Sequence, residues 1–96
     1  MNISDSEIND RRKKLEAFRT STGLSTESMC YILGISRSTM CRWKKGRSLR
    51  GSWQWPLTEA AIDKLNGANR RTKVYSKLVG KDQEDRVQAL ALVLSE

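Results

Sequence analysis

The chain has 96 residues, 18 Lys and Arg against 11 Asp and Glu, a net charge of +7 and no histidine. Hydrophobic content of 38% and charged content of 30% fit one small soluble globular domain and exclude a disordered chain. No apolar run approaches the ~20 residues of a membrane span, and no secretory signal pattern opens the chain.

Caps and apolar spacing predict five helices. The first is expected over about Asp5 to Thr20: Ser4 and Glu7 have capping-box spacing, Ile3 and Ile8 form a hydrophobic staple, and Ile8, Leu15 and Phe18 supply an inner face. The second, Thr26 to Leu33, starts after the N-cap Ser25, and the third, Arg37 to Lys45, after the N-cap Ser36. Staple spacing recurs at both, as Leu24 with Met29 and Ile35 with Met40, and Gly34 stands where a left-handed turn ends the second helix. A loop follows. Pro56 suits the first turn of a fourth helix, which carries Leu57, Ala61, Ile62 and Leu65 inward and closes at Asn66-Gly67. Residues 68–80 read as a short helix or a mobile basic linker. Asp82 caps a last helix with Glu84 and Asp85 in its first turn, where the helix dipole favours acids. The division is thus residues 1–67 as one domain, followed by 68–96 as linker and amphipathic helix.

The second and third helices form the informative unit. Met29, Leu33, Ile35, Met40 and Trp43 can face inward together, which leaves Arg37, Ser38 and Arg42 pointing out. A helix pair that shows arginines and small polar groups on its second member is suited to a DNA major groove. Residues 11–50 hold eleven Lys and Arg against Glu16 and Glu27, and from Arg37 to Arg50 six cations occur with no acid. Such a field is the footprint of a nucleic-acid binder. By contrast, the Arg11-Arg12-Lys13-Lys14 run reads as a solvated helix face.

With Cys30 as a small residue early in its first helix, Gly34 at the turn, Ile35 after it, Met40 and Trp43 in the second helix, and Gly23-Leu24-Ser25 and Trp43-x-x-Gly46 at its borders, the segment resembles the helix-turn-helix of the lambda-repressor-like family (Cro/C1-type, Xre). The resemblance spans roughly residues 8–66 and is strongest over 23–46. It implies an all-α, compact four- to five-helix domain with a C-terminal helix, which binds double-stranded DNA in a sequence-specific way. On its terms Arg37, Ser38 and Arg42 read base edges, and Ser36 and Thr39 hold phosphate at the helix N-terminus. Lys45, Arg47, Arg50 and Arg19 are then placed on the backbone. Thr26 stands where the family usually has a phosphate-touching glutamine. Lys44 stands where it often has an acid paired with the arginine matched by Arg19, so Arg19 is left to find another acid such as Glu27, or to address DNA.

The last helix offers a second surface. Val87, Leu90, Ala91 and Leu94 form an apolar stripe that serves either packing on its own domain or dimerisation, and small size together with two-fold operators favours a homodimer. The expected function is a transcriptional regulator, a dimeric and autoregulatory repressor of a short pseudo-palindromic operator, cytoplasmic and encoded by a bacterium, phage or plasmid. The alternative is an antitoxin or phage-type inhibitor that binds a protein partner, with Asn69 to Glu96 as its arm. Neither paired carboxylates nor a phosphate-cradling glycine loop is present, so no enzyme, cofactor or metal site is expected. Cys30 and Cys41 read as reduced thiols, Trp43 as core, and Trp53 and Trp55 as an extended pair that faces one way, to pack under the loop or, as the alternative, to stack on bases or wedge into DNA.

Overall fold

Among the described residues, three of the helices begin at a side-chain cap, and two end at a left-handed glycine. The computed structural model describes residues 5–45 and 53–96, which form α1 (Asp5–Thr22), α2 (Thr26–Leu33), α3 (Arg37–Lys44), α4 (Gln54–Thr72), a 3-10 turn (Ser76–Leu78) and α5 (Gln83–Leu94), with no strand among them. The expected Ser4 cap, the Ile3 staple and the loop cations Arg47 and Arg50 lie outside the described residues.

Ser25 Oγ accepts the Ser28 amide at 3.1 Å, Ser36 Oγ accepts the Thr39 amide at 3.1 Å, and Asp82 Oδ1 accepts the Asp85 amide at 2.9 Å. Each such cap is worth about 1 kcal/mol. Gly34 ends α2 in the left-handed region (φ 69°), which lets the Ile35 amide reach back to the Cys30 carbonyl at 3.1 Å. The residues of both described staple pairs, Leu24 with Met29 and Ile35 with Met40, are buried in the core.

The helices pack into a compact globule around Phe18, Met29, Met40, Trp43, Ile62, Leu65 and Leu90. Trp43 meets Trp55 edge to face, with ring centroids 6.0 Å apart, and Phe18 meets Tyr75 in the same way at 6.3 Å. Lys14 of α1 bonds Asp63 at 2.7 Å and Glu59 at 3.2 Å on α4. Burial alone would lower the Lys14 pKa, but the two carboxylates outweigh it and hold it above its ordinary value. No helix among the described residues is long and apolar enough to cross a membrane.

Several expectations are corrected. α4 does not close at Asn66-Gly67 but runs on to Thr72. Neither asparagine side chain stops it: Asn66 Oδ1 accepts the Tyr75 hydroxyl at 2.7 Å and Asn69 Oδ1 accepts the Tyr75 amide at 2.9 Å, while Ala68 is buried. Burial pushes the Tyr75 phenol up to about 12, so it stays a donor. Trp53 and Trp55 do not share a face, because α4 has begun by Gln54. Two residues along a helix turn by about 200°, which buries Trp55 and leaves Trp53 75% exposed. The same phase puts Leu57 outside, 65% exposed, and makes Trp55, Thr58, Ile62, Leu65 and Ala68 the inner stripe.

The apolar stripe of α5 is largely spent on the protein's own core. Leu90 is fully buried between α2 and α4, so it is not available to a second chain. Val87 and Leu94 are half-buried against the core, and of the expected dimerisation residues only Ala91 is exposed. The N-terminal end of α5 also fastens the α1–α2 corner. Arg86 Nη1 donates to the Thr22 carbonyl at 2.9 Å, Gln83 Nε2 donates to the Gly23 carbonyl at 2.9 Å, and Gln83 Oε1 accepts the Ser25 amide at 2.7 Å. Gly23 is left-handed (φ 69°), and a Cβ there would collide with the Arg86 guanidinium. Gly34 has the same φ, and a Cβ there would meet nothing. Gly34→Ala is expected to cost about 1–2 kcal/mol in backbone strain alone, and Gly23→Ala a further ~1–2 kcal/mol as the Arg86 bond breaks. Urea denaturation of both variants measures the gap; equal losses would show that the Arg86 bond contributes nothing.

Candidate nucleic-acid interface

α3 is eight residues long and presents its two sides unequally. Thr39, Met40 and Trp43 are buried, which turns Arg37, Ser38, Cys41 and Arg42 to the outside. At its N-terminus Ser36 Oγ accepts the Thr39 amide, donates to Thr39 Oγ1 at 2.8 Å and lies 3.2 Å from Ser38 Oγ. The Thr39 amide is therefore not free for a phosphate, and the one proton of the Ser36 hydroxyl is spent on Thr39 Oγ1, so Ser36 meets an anion only by turning that proton away. Ser38 and the first-turn amides before Thr39 are the other donors at this end of α3. Arg42 Nη2 donates to Thr39 Oγ1 over 3.4 Å, a long bond that steadies the guanidinium along the helix. Lys45 is exposed just past the end of the helix.

Two residues that depart from the family's pattern are coupled directly. Lys44 Nζ donates to Thr26 Oγ1 at 2.7 Å and so ties the end of α3 to the start of α2. Arg19 pairs with Glu16 on its own helix, Nη2 to Oε1 2.6 Å, and not with Glu27. That bond, with help from the nearby Lys44 charge, holds the Glu16 carboxyl below its ordinary value. Burial pushes the Cys30 thiol up, against the pull of Lys44 and Arg37, and leaves it a packed side chain rather than a reactive thiolate.

A groove runs between α1, the start of α2 and the end of α3. Arg12, Lys13, Arg19 and Lys44 line it, with Glu16 and Thr26 between them. The α1 basic run is thus divided. Lys14 braces α4 and Arg11 lies over the Trp55 ring at 5.3 Å, whereas Arg12 and Lys13 join the groove. Sequence reasoning missed Arg12 and Lys13. The available signal was Arg12, Glu16 and Arg19 at i, i+4 and i+7, which places them on one helix face.

No family model matches the chain, and no curated protein or solved structure is similar to it at a significant level.

The Glu16–Arg19 pair gives a direct check on the groove's electrostatics. Arg19→Ala is expected to move the Glu16 carboxyl back toward the ordinary carboxylate range, with a residual depression from Lys44, as read by NMR titration of the side-chain carboxyl. A depressed folded-state pKa means that the pair stabilises at neutral pH and that this is lost as pH falls through the folded value. Both partners are more than a third exposed, so the contribution should lie within about 0–1 kcal/mol. An unchanged Glu16 titration in the variant would show that the bond is not populated in solution.

Proposed function

We propose that this protein is a sequence-specific DNA-binding transcriptional regulator whose α2–α3 pair acts as a lambda-repressor-like helix-turn-helix. The observation that carries the reading is the division of α3, with Met40 and Trp43 fully buried while Arg37, Ser38 and Arg42 are exposed on a capped, rigidly seated helix. In this reading α3 enters the major groove. Arg37 and Arg42 bond guanine edges, each good bidentate pair giving about 1–3 kcal/mol of discrimination, and Ser38 contacts a neighbouring base. Ser36 and the first-turn amides of α3 meet a phosphate, and Lys45 tracks the backbone beyond the helix. The groove cations Arg12, Lys13 and Lys44 face the flanking strand, while Arg19 reaches it only by leaving Glu16.

The regulator is taken to be a dimeric repressor of a short pseudo-palindrome, with half-sites one helical turn, ~34 Å, apart or a multiple of it. Since Leu90 is committed to the core, the second copy in this reading rests on the outward face of α5, at Ala91 and Leu92, of which Leu92 is 68% exposed. An antitoxin arm over residues 69–96 finds less support, because α5 is docked on α2 and α4 rather than extended.

Selection from randomised duplex DNA at two salt concentrations tests the reading. A two-fold motif whose enrichment persists at the higher salt is expected. Arg42→Ala should then weaken binding by ~1–3 kcal/mol and relax preference at particular base pairs. Lys45→Ala should weaken all sequences alike and flatten the salt dependence by about one unit. Unchanged base preference in Arg42→Ala would remove α3 from the reading face.

A further inference from the structure

A second acid-free charge run lies away from α3. Between Asp63 and Asp82 there are six cations and no acid. Lys64 is engaged with the Leu94 and Glu96 carbonyls at 2.9 and 2.6 Å, but Arg70, Arg71, Lys73, Lys77 and Lys81 are all exposed. Arg70 stands fifteen residues beyond Trp55, the α4 residue that touches α3, and at 1.5 Å per residue that is about 22 Å along the helix. The patch is therefore a separate surface.

Its scaffold is stiff. The Lys73 amide donates to the Asn69 carbonyl at 2.7 Å, the Tyr75 amide and hydroxyl donate to Asn69 and Asn66, and Ser76 Oγ donates to the Lys73 carbonyl at 2.7 Å. Asn66, Asn69, Arg70, Lys73, Tyr75 and Ser76 line a shallow pocket here with no carboxylate in its wall. Because both asparagine oxygens accept from Tyr75, their amide NH₂ groups are left as donors. The guanidinium groups of Arg70 and Arg71 gather over Gly67, with Nη2 and Nη1 at 3.7 and 3.5 Å from where its Cβ would be. Most telling is Lys73, the one non-glycine residue described with positive φ (55°), at a helix end where glycine is the less strained choice. The helix dipole accounts for cations in the last turn of α4. It accounts neither for a lysine kept in the left-handed position nor for the continuation to Lys77 and Lys81.

We infer that this end of α4 is a second phosphate-binding site, which takes the backbone of a nucleic-acid duplex through Arg70, Lys73 and the asparagine amides. The inference takes the identity of the polyanion from the DNA-binding reading, and it predicts a contact that α3 does not make. Each backbone contact contributes about 0.9 to the slope of log K against log salt, so losing one at 0.1 M salt lowers affinity roughly eightfold.

The test uses the isotope-labelled full chain, titrated with a duplex and separately with inorganic phosphate. With the duplex, the backbone amides of Asn69, Tyr75 and Ser76 should shift together with those of α3. Lys73→Gly should raise the melting temperature yet lower duplex affinity about eightfold for every sequence, a pair of opposite effects that a purely structural lysine cannot produce. Arg70→Gln should repeat the affinity loss without the gain in stability. Unchanged affinity and salt slope in both variants would overturn the site, as would phosphate shifts at the pocket with no response there to duplex. Shifts at the pocket but not at α3 would uphold this site and sink the α3 reading instead, so the two failures are distinct.

Discussion

Everything the α2–α3 pair presents depends on the burial of Trp43. Helices of eight residues are far below the ~12–15 at which an isolated helix becomes even marginal in water, so α2 and α3 are helical because they are capped and packed. Trp43 sets the angle. Its edge-to-face contact with Trp55 fixes the rotation of α3 about its own axis, and at 100° per residue that rotation decides which side chains are outside. With Met40 and Trp43 at zero exposure, Arg37, Ser38 and Arg42 have nowhere else to point. A core contact thus determines the surface chemistry, and the α3 face would be rotated by any change that let Trp43 turn.

The second constraint comes from the far end of the chain. α2 is oriented by the corner at Thr22 to Ser25, and that corner is held by Gln83 and Arg86, some sixty residues away in sequence. Gln83 bridges the Gly23 carbonyl and the Ser25 amide, groups that two helix ends leave without intrahelical partners. Leu90 then fills the space between α2 and α4. α5 is consequently part of the frame that presents α3. A partner that drew α5 away would release the corner and the core together, which makes a freely detachable C-terminal arm costly for this fold.

What was legible in the sequence was local. Ser25, Ser36 and Asp82 cap amides three residues ahead, and Leu24, Met29, Ile35 and Met40 at staple spacing are all buried, so spacing alone located α2, α3 and the start of α5. The inward set from Met29 to Trp43 and the outward Arg37, Ser38 and Arg42 followed from the same helical period. What stayed hidden depends on distant residues. Asn66-Gly67 looks like a helix stop until Tyr75 is seen to occupy the Asn66 and Asn69 oxygens. An apolar stripe such as Val87, Leu90 and Leu94 has the same pattern whether it covers its own core or another chain. Arg12 and Lys13 read as solvated because the residues that make their surroundings a groove, Thr26 and Lys44, belong to other helices.

The cations divide by what they touch, and the division bears on how any polyanion would be bound. Lys14 and Arg19 are paired with acids, while Lys64 and Arg86 cap carbonyls. Among the described residues, Arg11 lies over Trp55, and the other cations lie on α3 with its groove and at and beyond the end of α4. Like charges held on a small domain repel one another and destabilise it, and a phosphate backbone bound as proposed would relieve both surfaces at once. On the DNA-binding reading, affinity and its salt slope count every phosphate neutralised, whichever surface neutralises it. Direct base preference arises where side chains reach base edges, and on this reading that is the outward face of α3, with Arg37 and Arg42. Two proteins with this charge and different α3 residues would therefore share a salt slope and differ in operator. On the same reading, total charge would govern how tightly DNA is held, and the rotation set by Trp43 would govern which DNA is chosen.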